Sequence, residues 1–204
     1  MSGGPDLSAA GDPALEGAVR RAGFAALLAG RCPTLSDLAA AAGVSEAAAG
    51  AMVAALMAGG RATTTPDGRL DGVAGVTGRP TRHTIERSAA GKIQTWCAFD
   101  AIAIPAALGW TVTAVTTCGF CGEDLRVPLR DGVPDDGAWG WLPPGDCEHI
   151  LRDFCATADL FCDRAHLDAW RAAAGDPPGE PHSAADLAEL GRPAWADCLP
   201  PVSP

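Results

Sequence analysis

The sequence predicts an α+β fold, with a winged-helix-like helical module over residues 1–80 packed on a domain with a small antiparallel sheet and helices over 81–204. Three observations carry this. Helical spacing of apolar residues recurs in ALEGAVRRAGFAALLA, LSDLAAAAG and EAAAGAMVAALMAGG. Two short β-type runs, RATTT and RLDGVAGVT, then flank the turn signal Pro66-Asp67-Gly68. Beyond Arg79, β-branched runs alternate with apolar helical ones.

In order, Asp12 and Pro13 form an N-cap and N1 pair, and Gly30 closes the first helix. Thr34 with Asp37 has capping-box spacing, and Ser45 caps the third helix after the short link at Gly43 and Val44. Residues 82–87 predict a strand, AAGK a turn, and IQTWCAFDAIAIPAALG a helix kinked or ended near Pro105 and stopped by Gly109. WTVTAVTT predicts a strand, CGFCG a knuckle, LRVPL a return strand and WGWL a short strand. GDCEHILRDFCATADLF and RAHLDAWRAAAG have helical spacing, and the Pro-rich tail holds one short helix capped by Ser183.

Composition narrows the function. The formal charge of −10 repels nucleic acid and anionic membranes. Up to residue 80 there are six Arg and no Lys against seven Asp plus Glu, a net of −1, and the third helix bears only Glu46 as a charged residue. A reading helix needs Arg, Lys, Asn or Gln for bases and phosphates, so the module is expected to serve structure. The N-terminal stretch has neither a basic nor an apolar leader segment, and no apolar run reaches membrane-span length, so a cytoplasmic protein is expected. In a reducing compartment eight cysteines point to thiol chemistry or metal binding. No phosphate loop, dinucleotide fingerprint or His-based metal motif is present, and Cys32, Cys147 and Cys198 are expected to be incidental thiols.

Cys97 and Asp100 stand at i and i+3 in TWCAFDAI, where a shared helix face lets the carboxylate act as the thiol's base. An aspartate amid apolar residues is costly to bury without a partner, which calls for an explanation beyond packing. RHTIERSAAGKIQTWCAFDAIAIPAALG, a strand ending at Cys118, and then DFCATADLF and AHLDAW resemble the organomercurial (alkylmercury) lyase family over about residues 80–170. The resemblance implies that Cys97 and Cys155 hold mercury, that Asp100 carries the proton, and that Cys118 is structural. It further implies an enzyme that cleaves carbon-mercury bonds by protonolysis to a hydrocarbon and Hg(II), with no required cofactor. Organomercurials would be its substrates, with cellular thiols and a mercuric reductase as acceptors of the ion. Thiolates suit so soft a cation, and Trp96 and Phe99 are expected to raise the Asp100 pKa.

Cys121, in the CGFCG knuckle, departs from that pattern, and Cys162 follows the second motif closely. Cys118 and Cys121 are therefore candidate further metal ligands, in a four-thiolate site with Cys97 and Cys155. That leaves two alternatives: a non-catalytic thiolate protein for zinc, copper or mercury, and a metal-responsive winged-helix regulator.

Overall fold

The computed structural model describes residues 13–87 and 91–198 and forms two compact units, the described residues up to Arg79 with Asp197 and Cys198, and Pro80–Ala196. The first unit comprises α1 (Pro13–Leu28), α2 (Leu35–Ala42), α3 (Glu46–Ala58), β1 (Ala62–Thr64), β2 (Leu70–Val73) and β3 (Val76–Thr77). The expected caps form. The Thr34 hydroxyl accepts from the Asp37 amide while the Asp37 carboxylate accepts from the Thr34 amide, and Gly43 ends α2 in the left-handed conformation. Ser45 accepts from the Ala48 amide at the start of α3. The Asp12 cap lies outside the described residues.

β1 and β2 pair antiparallel around the Pro66–Gly68 turn, and β2 pairs with β3. Val19, Phe24, Leu38, Met52, Leu56 and Leu70 fill this unit's core. The exposed residues of α3 are Glu46, Ala47, Ala54, Ala55, Met57 and Ala58. Among the described residues no single helix is long and apolar enough to cross a membrane, and the one helix pair that passes together, α2 with α3, is bent by 106°.

The second unit contains β4 (Thr84–Arg87), β5 (Gly91–Thr95), α4 (Ala98–Leu108), β6 (Val112–Thr117), β7 (Asp124–Arg130), β8 (Val133–Pro134), β9 (Trp139–Leu142), β10 (Asp159–Phe161), α5 (Arg164–Ala173), β11 (Glu180–Ser183) and α6 (Ala184–Ala194). β5-β4-β6-β7-β8 is one antiparallel series, and β10-β9-β11 is a separate three-stranded sheet. In β6 burial alternates, with Val112, Ala114 and Thr116 inside, as a sheet with one covered face requires.

Two expectations need correction. The helix expected from Ile93 begins only at Ala98, because Ile93 and Thr95 alternate with Lys92 and Gln94 as a strand and Ile93 sits opposite Ile85 on β4. Of the turn expected at AAGK, Ala89 and Ala90 lie outside the described residues. The helix expected through residues 145–161 shrinks to a π-helical turn, Ile150–Cys155, because Asp159–Phe161 pairs with β9 instead. Pro105 does not end α4, which runs on to Leu108 before Gly109 stops it in the left-handed region.

α4 is buried almost all round, as its uninterrupted apolar sequence demands. It packs against α6, the short helix of the tail, whose capping box joins Ser183 and Asp186. The contact needs Gly191: an added Cβ there would lie 2.5 Å from the Ala103 Cβ and 2.6 Å from its Cα. Arg192 also donates to the Ala106 carbonyl of α4 at 3.2 Å. Gly191→Ala is therefore expected to destabilise the protein by roughly 1–3 kcal/mol, because backbone rather than a flexible side chain must yield, and thermal denaturation measures it.

Candidate functional site

The site is built at the start of α4. Thr95, fully buried, donates its hydroxyl to the Cys97 carbonyl at 3.1 Å, and the Thr81 hydroxyl donates to the Thr95 carbonyl at 2.9 Å. This fixes the exit from β5. Cys97 then takes the extended N-cap conformation, and Asp100 occupies the third helical position. One oxygen of Asp100, Oδ2, accepts from both the Cys97 amide (3.1 Å) and the Cys97 thiol (3.2 Å). The two residues meet because one caps the helix that contains the other, not because both lie within a helix.

Cys155 arrives from the π-helical turn. His149 caps that turn by accepting from the Arg152 amide, and Asp153 accepts from the His149 amide while pairing with Arg152. The Ala158 carbonyl receives the Ala98 amide at 3.4 Å, so the chain just past Cys155 docks on the α4 N-terminus. Phe154 meets Phe99 edge to face, with centroids 6.0 Å apart. The reactive atoms of Cys97, Asp100 and Cys155 all lie within 4.8 Å of one another.

Burial differs across the three. Cys97 is 0% and Asp100 5% exposed, whereas Cys155 is half-buried. Removal from water raises the Asp100 carboxyl to about 7, against the lowering effect of its bonds from Cys97. Burial first, then contact with Cys155 and the Asp100 charge, push the Cys97 thiol well above its ordinary value. At neutral pH the thiol therefore keeps its proton, while the carboxyl beside it stands close to half-protonated. Beside it runs a groove lined by Phe99, Phe154, Leu142, Pro143, Leu190 and neighbouring residues.

A second group forms on the knuckle side of the unit. Cys118, Cys121, Cys162 and His166 bring their donor atoms within 4.8 Å of one another. Burial raises the Cys118 thiol, but amide donors from Cys121, Phe120 and Cys162, together with His166, outweigh it and bring it down to about 6. Burial and the neighbouring sulfurs push Cys162 up to about 12. The four-thiolate site expected from Cys97, Cys155, Cys118 and Cys121 is not what assembles: the two pairs fall in different groups, since one lies at the α4 N-terminus and the other between β6 and β7.

The alkylmercury lyase (MerB) family model matches residues 76–196. The chain belongs to the alkylmercury lyase family. Alkylmercury lyases of Bacillus cereus and Clostridium butyricum are each 29% identical over 132 residues, 61% of this chain and 58% of theirs. The match therefore spans less than two thirds of those relatives. The crystal structure of the mercury-bound form of MerB2 shares the fold, with a TM-score of 0.84 over 95% of both chains at 21% identity.

Within this alkylmercury lyase fold, Cys97, Asp100 and Cys155 converge, while the partners of Cys118 and Cys121 include one residue that sequence reasoning passed over, His166. Its signal was present: Cys162 and His166 are separated by three residues, and C-x-x-C followed by C-x-x-x-H is a ligand spacing. Cys32 and Cys147 are half-buried, Cys198 is buried, and none of them joins either group. Trp141 is core, with Trp139 and Trp170 packed on it.

Because the folded Asp100 pKa lies above the ordinary 3.8, the folded state retains a proton the unfolded state has lost. This costs stability progressively from about pH 4 up to about pH 7. Asp100→Asn never charges, so its melting temperature should exceed the parent's more at pH 8 than at pH 5, the gap widening by roughly 5–10 °C.

Proposed function

We propose that this protein cleaves carbon-mercury bonds by protonolysis, releasing a hydrocarbon and leaving Hg(II) on two sulfurs. The observation that carries this reading is the buried Asp100 carboxyl, hydrogen-bonded to the Cys97 thiol with Cys155 beside it. A soft cation prefers sulfur to carboxylate or imidazole, so the two thiols bind the mercury and the carboxyl is left free to move a proton.

The sequence of events follows from exposure. Cys155, the more accessible sulfur, meets an organomercurial carried on a cellular thiol, takes the metal and returns its own proton to that thiol. Cys97 then gives its proton to Asp100 and bonds the mercury through sulfur. Two sulfurs push electron density towards carbon; Asp100 delivers the proton there, the carbon-mercury bond breaks, and the hydrocarbon leaves. The groove at Phe99 and Phe154 accommodates the organic group. Two incoming thiols, or the thiols of a mercuric reductase, remove Hg(II) and restore both cysteines. Such a cycle needs free thiols, in keeping with a reducing compartment such as the cytoplasm. The exposed residues of α3, without Arg, Lys, Asn or Gln, support a first unit that does not bind nucleic acid.

Headspace gas chromatography with phenylmercury and excess thiol tests the reading, with benzene above a protein-free control as the expected result. Cys97→Ser and Cys155→Ser should each lose at least about 100-fold in turnover, because a hydroxyl is a hard ligand. Asp100→Asn should bind the organomercurial yet release hydrocarbon about 10²–10⁴-fold more slowly. No benzene from the reduced parent protein would refute the proposal.

The pH dependence has a definite sign. With Asp100 at about 7, the carboxylate that must accept the Cys97 proton is itself protonated at lower pH. kcat/KM should therefore fall as pH drops through about 7, approaching tenfold per unit, and the Asp100→Asn variant should lose that limb.

A further inference from the structure

The geometry points to a second metal centre in this protein: a structural zinc ion held by Cys118, Cys121, Cys162 and His166, separate from the mercury-handling thiols. Cys118 and Cys121 belong to a tight knuckle between β6 and β7, in which the Cys118 amide donates to the Glu123 carbonyl at 2.8 Å and the Gly122 amide to the Cys118 carbonyl at 3.0 Å. Gly122 follows the second cysteine with φ +74°, a conformation that suits glycine and lets the chain turn back beneath the sulfurs.

The other half of the group comes from the opposite side. Gly119 donates to the Leu160 carbonyl at 2.9 Å, tying the knuckle to β10, and a Cβ at Gly119 would come within 2.9 Å of the Phe161 ring. β10 leads directly into Cys162, and Asp163 caps α5 by accepting from the His166 amide at 2.8 Å, which sets His166 in the first turn beside Cys162. The Phe120 ring packs on the His166 imidazole with centroids 5.3 Å apart.

The spacings are those of one tetrahedral ion. With zinc-sulfur bonds of about 2.3 Å and a zinc-nitrogen bond of about 2.0–2.1 Å, two sulfurs should stand about 3.8 Å apart and a sulfur and nitrogen about 3.5–3.6 Å apart. Cys121 Sγ and Cys162 Sγ are 3.8 Å apart, and Cys118 Sγ and His166 Nδ1 are 3.6 Å apart. A disulfide would instead need about 2.05 Å between the sulfurs. Three thiolates and an imidazole form a closed donor set with no open position, so the ion is structural rather than catalytic. It would join the β6–β7 knuckle to the chain downstream of Cys155, and so steady the segment that carries Ala158 against α4.

The test uses the full chain purified reduced, without chelator and without mercury, and analysed by elemental mass spectrometry and by Co(II) exchange. The expected result is about one zinc per chain, and strong visible absorption with sulfur-to-cobalt charge transfer after exchange. Cys121→Ser and His166→Ala should fall below about 0.2 zinc per chain, whereas Cys97→Ser and Cys155→Ser keep it. His166→Cys, which restores a fourth soft donor, should retain the ion even if the alanine variant fails to fold. Absence of zinc and of a tetrahedral cobalt spectrum in the reduced parent protein would overturn the assignment. So would zinc retained by Cys121→Ser, zinc lost on mutating Cys97 or Cys155, or intact-mass evidence that the parent purifies with a Cys121–Cys162 disulfide. These readouts do not depend on hydrocarbon release, so the metal assignment stands or falls apart from the proposed lyase activity.

Discussion

The candidate site depends on one buried carboxyl. Asp100 sits inside a helix with apolar neighbours on nearly every side, where an unpartnered charge would be expelled or neutralised. Its partners come from a single residue, the amide and thiol of Cys97. The α4 N-terminus adds the positive end of the helix dipole, yet burial still dominates and holds the carboxyl near neutrality. A group poised there can accept and return a proton at little cost, and the fold sustains that position only by packing α4 closely.

Much of the second unit can be understood as meeting that requirement. α6 lies against α4 with no side chain at Gly191, and β5 delivers Cys97 in extended form through the Thr95 and Thr81 hydroxyls. The π-helical turn brings Cys155 to the same point, with Phe154 braced on Phe99 and the following chain hydrogen-bonded to the first amide of α4. One sulfur is sealed, the other half open.

Cysteines divide by neighbourhood rather than by spacing in the chain. Cys155 and Cys162 are seven residues apart, yet β10 intervenes and turns them into different groups, one at a helix N-terminus beside a buried carboxyl and the other beside a knuckle and an imidazole. The two groups are thus separate sets of donor atoms, and it is the first that includes the Asp100 carboxyl.

Local signals in the sequence determined a good deal. The caps at Thr34, Ser45 and Ser183, the hairpin about Pro66–Gly68, the strand at WTVTAVTT and the stop at Gly109 all formed, because each depends on a few adjacent residues and their own hydrogen bonds. The pairing of Cys97 with Asp100 was legible for the same reason: only two residues lie between them, and either a helix or a cap brings them together. What tertiary structure alone decided were the elements whose apolar pattern suits helix and strand equally. Residues 91–95 became a strand because β4 offered Ile85 opposite Ile93, and 159–161 did so because β9 was there to pair with it. The convergence of Cys155 on Cys97, and of Cys162 and His166 on the knuckle, was likewise beyond local reading, since those contacts span about 40–60 residues of chain and are set by sheet register rather than by any short-range preference.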